Sequence, residues 1–364
     1  MAVYKIFSSA DASMYSYDVG KNTGLDPILE VGVENYSATT NGTYLVSTNE
    51  DLRRAIVKFS DSDLATVKSL TTGSLFQANL RLYLAEAENL STTYSLEFRQ
   101  VSHSWDMGTG QFIDYPDTIN GVCWNSPNAY VTGSSTSWIS SSYYTVPGGG
   151  SWTSLYTTQS FSYSDNKDVN ANVTQIVSSW FTGSVPNYGI IVKFPTSIEN
   201  NSGSYIRTKF FSTDTHTIYP PTLEIKWDDS SYVTGSIVTS NDFVVSFTNN
   251  KNEFKYGDQM YRVKLATRPT FPVRQFSTSS VYLNTLLLPS SSYWAVQDYK
   301  TEEMVVDFDT SFTKISSDGT YNYFNLYMKG LEPERYYKLL VQTVIPATGE
   351  TLNIDSNLIF KIVR

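Results

Sequence analysis

Asn79-Leu80-Arg81-Leu82-Tyr83-Leu84 places a leucine at every second position, with Arg81 and Tyr83 between them. That two-residue period predicts a strand with one buried face. Ala55-Ile56-Val57-Lys58-Phe59, Tyr94 to Val101, Tyr188 to Phe194 and Pro221 to Trp227 read the same way. Turn-prone clusters lie between these runs, among them Asn41-Gly42, Pro147-Gly148-Gly149-Gly150 and Asn200-Asn201-Ser202-Gly203. One segment departs from the pattern: Val169, Val173, Ile176, Val177 and Trp180 recur at helical spacing and Gly183 follows as a stop, which predicts a short helix covering one end of a sandwich. From Val131 to Ser164 the chain is Ser/Thr/Tyr-rich, nearly uncharged and without an apolar repeat, and a long surface excursion is expected there. After Trp227 the polar seam Asp228-Asp229-Ser230-Ser231 precedes a fresh set of strands. The expectation is therefore an all-β chain of two successive sandwiches, residues 1–228 and 229–364.

A length of 364 residues agrees with two domains, since it exceeds what one core usually supports. Charged residues make up 17%, against roughly 25% in an average soluble domain, while Tyr (27), Phe (19) and Trp (7) are plentiful. That balance favours strands and turns. A net charge of -9 repels phosphate backbones and the longest basic run is Arg53-Arg54, so nucleic acid is not an expected partner. The opening Met1-Ala2-Val3-Tyr4-Lys5-Ile6-Phe7-Ser8 has no basic segment followed by an apolar stretch, so no secretory signal is expected. No stretch reads as a membrane span, and membrane is not an expected partner either. The single cysteine, Cys123, excludes an intramolecular disulfide and suits a reducing cytoplasm.

Residues 1 to about 228 carry an ordered series of motifs: Ala10-Asp11-Ala12, Asn22-Thr23-Gly24-Leu25, Leu29-Glu30-Val31-Gly32, Arg54-Ala55-Ile56-Val57-Lys58-Phe59-Ser60 and Ala78-Asn79-Leu80-Arg81-Leu82-Tyr83. Trp105-Asp106, Val122-Cys123-Trp124-Asn125-Ser126-Pro127, Val173 to Trp180, Asn187-Tyr188-Gly189-Ile190-Ile191-Val192, Phe211-Ser212 and Pro221-Thr222-Leu223-Glu224-Ile225 continue it. In this order they resemble the DNRLRE family, a jelly-roll module similar to carbohydrate-binding modules. The 128–166 insertion and Asp106, where the family has Glu, depart from its pattern, so no ligand site is carried over. Trp105, Trp124 and Trp180 suit the plugs of a sandwich core. Arg54 is placed either to clamp a buried carboxylate such as Asp106 or Glu30 or to face solvent.

The second half carries Gly330-Leu331-Glu332-Pro333-Glu334-Arg335-Tyr336-Tyr337-Lys338-Leu339-Leu340-Val341, similar to the Leu-x-Pro-x-x-x-Tyr passage of fibronectin type III and related immunoglobulin-like sandwiches. The resemblance implies that Leu331 and Tyr337 enter a core at a corner between sheets. Tyr337, Leu339 and Val341 would share one face, Tyr336, Lys338 and Leu340 the other. Leu288 to Asp298, Phe308-Asp309, Thr313 to Ser316, Tyr323 to Leu326 and Phe360 to Arg364 resemble the C-terminal part of structural proteins of tailed bacteriophages. In Arg268-Pro269-Thr270-Phe271-Pro272-Val273-Arg274-Gln275-Phe276, two prolines keep the chain extended. Arg268, Phe271, Arg274 and Phe276 are its candidate interface residues, the alternative being an edge strand or crossover.

Catalytic signatures are missing. Only His103 and His216 could serve a Ser-His-Asp or Cys-His site, and neither is flanked by a nucleophile motif. Gly148-Gly149-Gly150 lacks a following Lys-Ser/Thr, and Asp61-Ser62-Asp63 and Asp228-Asp229 read as solvated loop acids rather than calcium ligands. No enzyme, metal or cofactor is expected. The first expectation is a virion protein made in the host cytoplasm and placed on a capsid, neck, tail or baseplate, touching other virion proteins and copies of itself. The second is a host-glycan-binding module in which exposed Trp138, Tyr143, Tyr144 and Trp152 stack on sugar rings, unless those aromatics pack onto their own sandwich. A carbohydrate-active enzyme would need two convergent carboxylates.

Overall fold

Strands do form where side chains alternate. The computed structural model describes residues 2–35, 38–40, 43–45, 50–71, 75–129, 137–138, 148–200, 205–249, 251–256, 260–271 and 286–364. The turn-prone Asn41-Gly42, Pro147 and Asn201-Ser202-Gly203 lie outside them. The protein is all-β. Its chain divides into two compact units, Ile6–Leu70 with Gln77–Glu224, and Met1–Lys5 with Thr71–Phe76 and Ile225–Arg364. Composition puts the boundary in the polar seam, between Asp228 and Asp229; the compact units instead divide between Glu224 and Ile225. The C-terminal unit also takes in two short pieces of the N-terminal half, which no local pattern marks.

The N-terminal part of the chain forms β1 (Ala2–Tyr15), β2 (Ile28–Asn35), β3 (Ala38–Thr40), β4 (Thr43–Leu45), β5 (Glu50–Phe59), α1 (Asp61–Leu70), β6 (Phe76–Leu82), β7 (Leu84–Glu88), β8 (Thr93–Val101), β9 (Trp152–Ser162), β10 (Val169–Asn172), α2 (Thr174–Thr182), β11 (Ile190–Lys193), α3 (Thr196–Glu199), β12 (Tyr205–Phe211) and β13 (Thr222–Trp227). The main path of its large sheet runs β10-β6-β13-β1-β5-β11-β8-β9, and a branch leaves β5 through β2, β12 and β7. β5 pairs with β1, β11 and β2, and Ala55, Ile56, Val57 and Phe59 on it are fully buried.

Local expectations change at three places. Helix α2 begins only at Thr174, because Val169 to Asn172 pair with β6, burying Val169 and Ala171. It ends as expected at Gly183, which is left-handed at φ 77°. The expected surface excursion contains β9, an edge strand on β8 whose side chains are mostly half-buried or exposed, so no apolar alternation marks it. Asp61 and Asp63 sit in the first turn of α1, where the helix dipole favours acids, and only Leu64 and Val67 of that helix are buried.

The second unit contains β14 (Tyr232–Val233), β15 (Phe243–Phe247), β16 (Glu253–Lys255), β17 (Tyr261–Pro269), β18 (Ser292–Asp298), β19 (Met304–Val306), β20 (Ser316–Asp318), β21 (Asn322–Leu326), β22 (Tyr336–Val344) and β23 (Thr351–Val363). They form two five-stranded sheets, β14-β20-β21-β17-β15 and β16-β23-β22-β18-β19. Trp294 of one sheet stacks on Phe324 of the other, with ring centroids 4.9 Å apart, within a common core. Leu331, Tyr337, Leu339 and Val341 are buried there while Tyr336 is exposed, as the alternation predicts. The Tyr337 hydroxyl donates to the Glu332 carbonyl at 3.0 Å, anchoring the corner.

Candidate functional site

Consecutive residues of a strand point to opposite faces, and Arg53 and Arg54 accordingly enter different environments. Arg54 is buried. Its Nε and Nη2 donate to Glu199 Oε1 and Oε2 at 3.0 and 2.9 Å, and its Nη1 to the carbonyls of Gly148 and Gly149 at 3.3 and 3.1 Å. Lys193 Nζ lies 2.9 Å from Glu199 Oε2, and Arg99 Nε donates to Glu97 at 2.7 Å. Trp152 packs beside three of these cations, with Arg54, Arg99 and Lys193 all within 5.8 Å of its ring centroid. Gly149 has φ +69°, and a Cβ there would stand 2.6 Å from Arg54 Nη1, which explains a glycine at this point of the run.

Burial acts to raise the Glu199 carboxyl, but the charges of Arg54 and Lys193 outweigh it and hold it below the usual range. Burial is the main cause of the lowered Lys193 pKa, with Glu199 opposing it. Arg54, Lys193 and Glu199 are 2%, 1% and 3% exposed, so the cluster holds structure and offers no access to a solute. Arg54 therefore does clamp a buried carboxylate, but that carboxylate is Glu199. Asp106 is exposed, and Glu30 pairs with Arg53 at 2.6 Å.

Arg53 belongs to a charged ladder across β5, β2, β12 and β7. It also meets Glu34 and Asp51, Arg207 on β12 meets Glu34 and Glu88, and Lys209 meets Glu86 and Glu88. Apart from Asp51, these groups are more open to solvent than the Arg54 cluster.

A different surface is built around Asn22, which is fully buried. Its Nδ2 donates to the carbonyls of Met107 and Val122 at 2.7 and 2.9 Å, and its Oδ1 accepts from the backbone of Gly110 and Gly24 at 2.8 and 3.4 Å. Both donors and both lone pairs of the amide are thereby used. The loop so tied down is braced further: Asp114 accepts from the Gln111 backbone and the Thr118 hydroxyl, Asp26 from the Phe112 backbone, and Lys21 pairs with Asp117 at 3.0 Å. From this frame Ile113 (83% exposed) and Tyr115 (99%) project, with Phe112 and Ile119 beside them.

Of the four aromatics offered for sugar stacking, Trp138 and Trp152 are buried, each 6% exposed, as in the alternative that they pack onto their own sandwich, and the Trp138 indole donates to the Cys123 carbonyl at 3.0 Å. Tyr143, Tyr144, Arg274 and Phe276 lie outside the described residues. Arg268 lies near the end of β17, paired with Val244 of β15, and Phe271 is 83% exposed. The Gly/Asp/Asn/Pro content of 108–121 marks a turn-rich loop, but no sequence period identifies its apolar residues as outward-facing. Among the described residues, no group of three or more His, Cys, Asp and Glu side chains is arranged to hold a metal, and no helix is long and apolar enough to cross a membrane. No family model and no curated protein matches the chain.

Proposed function

We propose that the chain is a non-enzymatic structural component of a tailed-phage virion, in which a DNRLRE-like jelly roll and an immunoglobulin- or fibronectin-like sandwich act through protein–protein contacts. The observation that carries this reading is the braced loop around Ile113 and Tyr115. An ordered loop that exposes apolar and aromatic side chains loses little conformational entropy on docking, and such residues are common at interface centres. Phe271 offers a second exposed aromatic in the segment expected to touch a neighbour.

The test is mass spectrometry of gradient-purified tailed-phage particles from the host that carries the gene. Peptides of this chain are expected in fixed ratio to other virion proteins, and their absence from particles overturns the proposal. The double substitution Ile113→Asp, Tyr115→Asp should leave the circular dichroism and Tm unchanged while reducing incorporation about tenfold or more, the order expected when central contacts are lost.

A further inference from the structure

β15 stands at the edge of its sheet and, among the described residues, pairs with β17 alone. The Thr270 and Thr248 N–H groups donate to the Asp242 and Lys264 carbonyls, and between these bonds Val244 and Ser246 oppose Arg268 and Ala266. Bonded pairs of an antiparallel ladder recur at every second residue, so Val244 and Ser246 use their backbone groups on β17 while those of Val245 and Phe247 point the other way. That free edge meets a groove of about 1020 Å³ lined on one side by β15 and on the other by β23. Phe243, Phe247, Leu352, Ile354 and Leu358 line it and are only half-buried against the core, so apolar surface of the sandwich stays in water along this seam. β16 pairs with β23 only at Lys361–Val363 residues, where Glu253, Phe254 and Lys255 meet Lys361, Ile362 and Val363.

The occupant this edge fits best is its own copy. Phe243-Val244-Val245-Ser246-Phe247 reads nearly the same in both directions about Val245, and it carries no charge and no proline, the features that commonly keep sheet edges from meeting. The net charge of -9 sets copies of the chain against one another at long range, but this strand adds no like charge at the contact. Turned antiparallel on itself about Val245, the strand sets Val245 opposite Val245 and Phe243 opposite Phe247, so the outward-pointing backbone groups meet in register. Val244 and Ser246, both exposed, then oppose each other on the outer face. We propose that β15 pairs with β15 of a second copy of this chain across a twofold axis at Val245, joining their two five-stranded sheets into one and occupying the groove. Such a contact is the same for both copies and closes on itself. It does not rest on a place in a virion.

The experiment is sedimentation velocity of the purified full chain over a concentration series, which should show twice the chain mass. Val244→Lys with Ser246→Lys sets lysine opposite lysine twice across the axis and should weaken the dimer about tenfold or more. Val244→Lys with Ser246→Glu sets lysine opposite glutamate at the same two places and should restore the double mass. Both side chains are exposed, so circular dichroism should be unchanged in either variant, and the second variant controls for the loss of Val244. An unaltered chain that sediments singly at every concentration overturns the pairing. So does a dimer that survives the two lysines, or a lysine–glutamate chain that stays single. Ile113→Asp, Tyr115→Asp should leave the dimer intact, which tells failure of the loop contact from failure of this one; loss of the dimer there would move the contact to the loop and overturn the pairing.

Discussion

Glu199 and Asp11 are both buried carboxylates of the same unit, yet their protonation is driven in opposite directions. Glu199 faces Arg54 and Lys193 and is held ionised, whereas Asp11 has only hydroxyl and backbone donors and a second acid nearby, and is driven toward its neutral form. Burial sets the stakes; the partner sets the sign.

Removing the partner is the strongest way to break that contrast. Glu199→Ala leaves Arg54 and Lys193 buried without their anion and should cost about 3–5 kcal/mol, read by chemical denaturation. A loss below about 1 kcal/mol would show that the cluster is solvated in solution.

The two acids should also oppose each other in pH dependence. Glu199 has a folded pKa below its unfolded value of 4.5, so its contribution is complete above that value and is lost as pH falls through the folded pKa. Asp11 has a folded pKa raised from 3.8 to about 7, so its contribution is present at low pH and is lost as pH rises toward about 7. That loss amounts to up to about 4 kcal/mol. Stability profiles of Asp11→Asn should lack the decline that spans 3.8 to about 7, and profiles of Glu199→Gln should lack part of the decline on the acid side.

Asn22 sharpens the comparison as a buried polar group that needs no counter-charge. Asn22→Ala should cost about 1–3 kcal/mol by leaving backbone groups of the 107–122 loop unpaired, and limited proteolysis should then cut within that loop. The smallest effect is expected on the charged ladder, where Lys209→Ala should change stability by less than about 1 kcal/mol and raised salt should shrink the difference further.

Much of the fold was legible in side-chain period. Leu331, Tyr337, Leu339 and Val341 enter the core, and Trp105, Trp124 and Trp180 are buried as their size and apolar surface suggested. Leu80 and Leu82 are buried as alternation predicts, but Leu84 falls on the next strand and is only half-buried. β9 escaped notice because an edge strand need not alternate, and α1 because two buried residues make too narrow a stripe.

The candidate site was less legible. Beside its alternating strand Arg54 reads equally as a clamp or as a solvent-facing residue, and the carboxylate that decides between them lies 145 positions away in the chain, beyond any local pattern. Trp152 carried no mark that would separate a ring roofing three cations from one stacking on sugar, and the outward turn of Ile113 and Tyr115 depends on the buried amide of Asn22.

By itself the sequence determined the class of fold, because the strand period is a local property written in neighbouring residues. Only the tertiary structure decided which charges met and which aromatics were covered. Those outcomes depend on contacts between residues far apart in the chain, and the energy of a charge is set by what surrounds it in space.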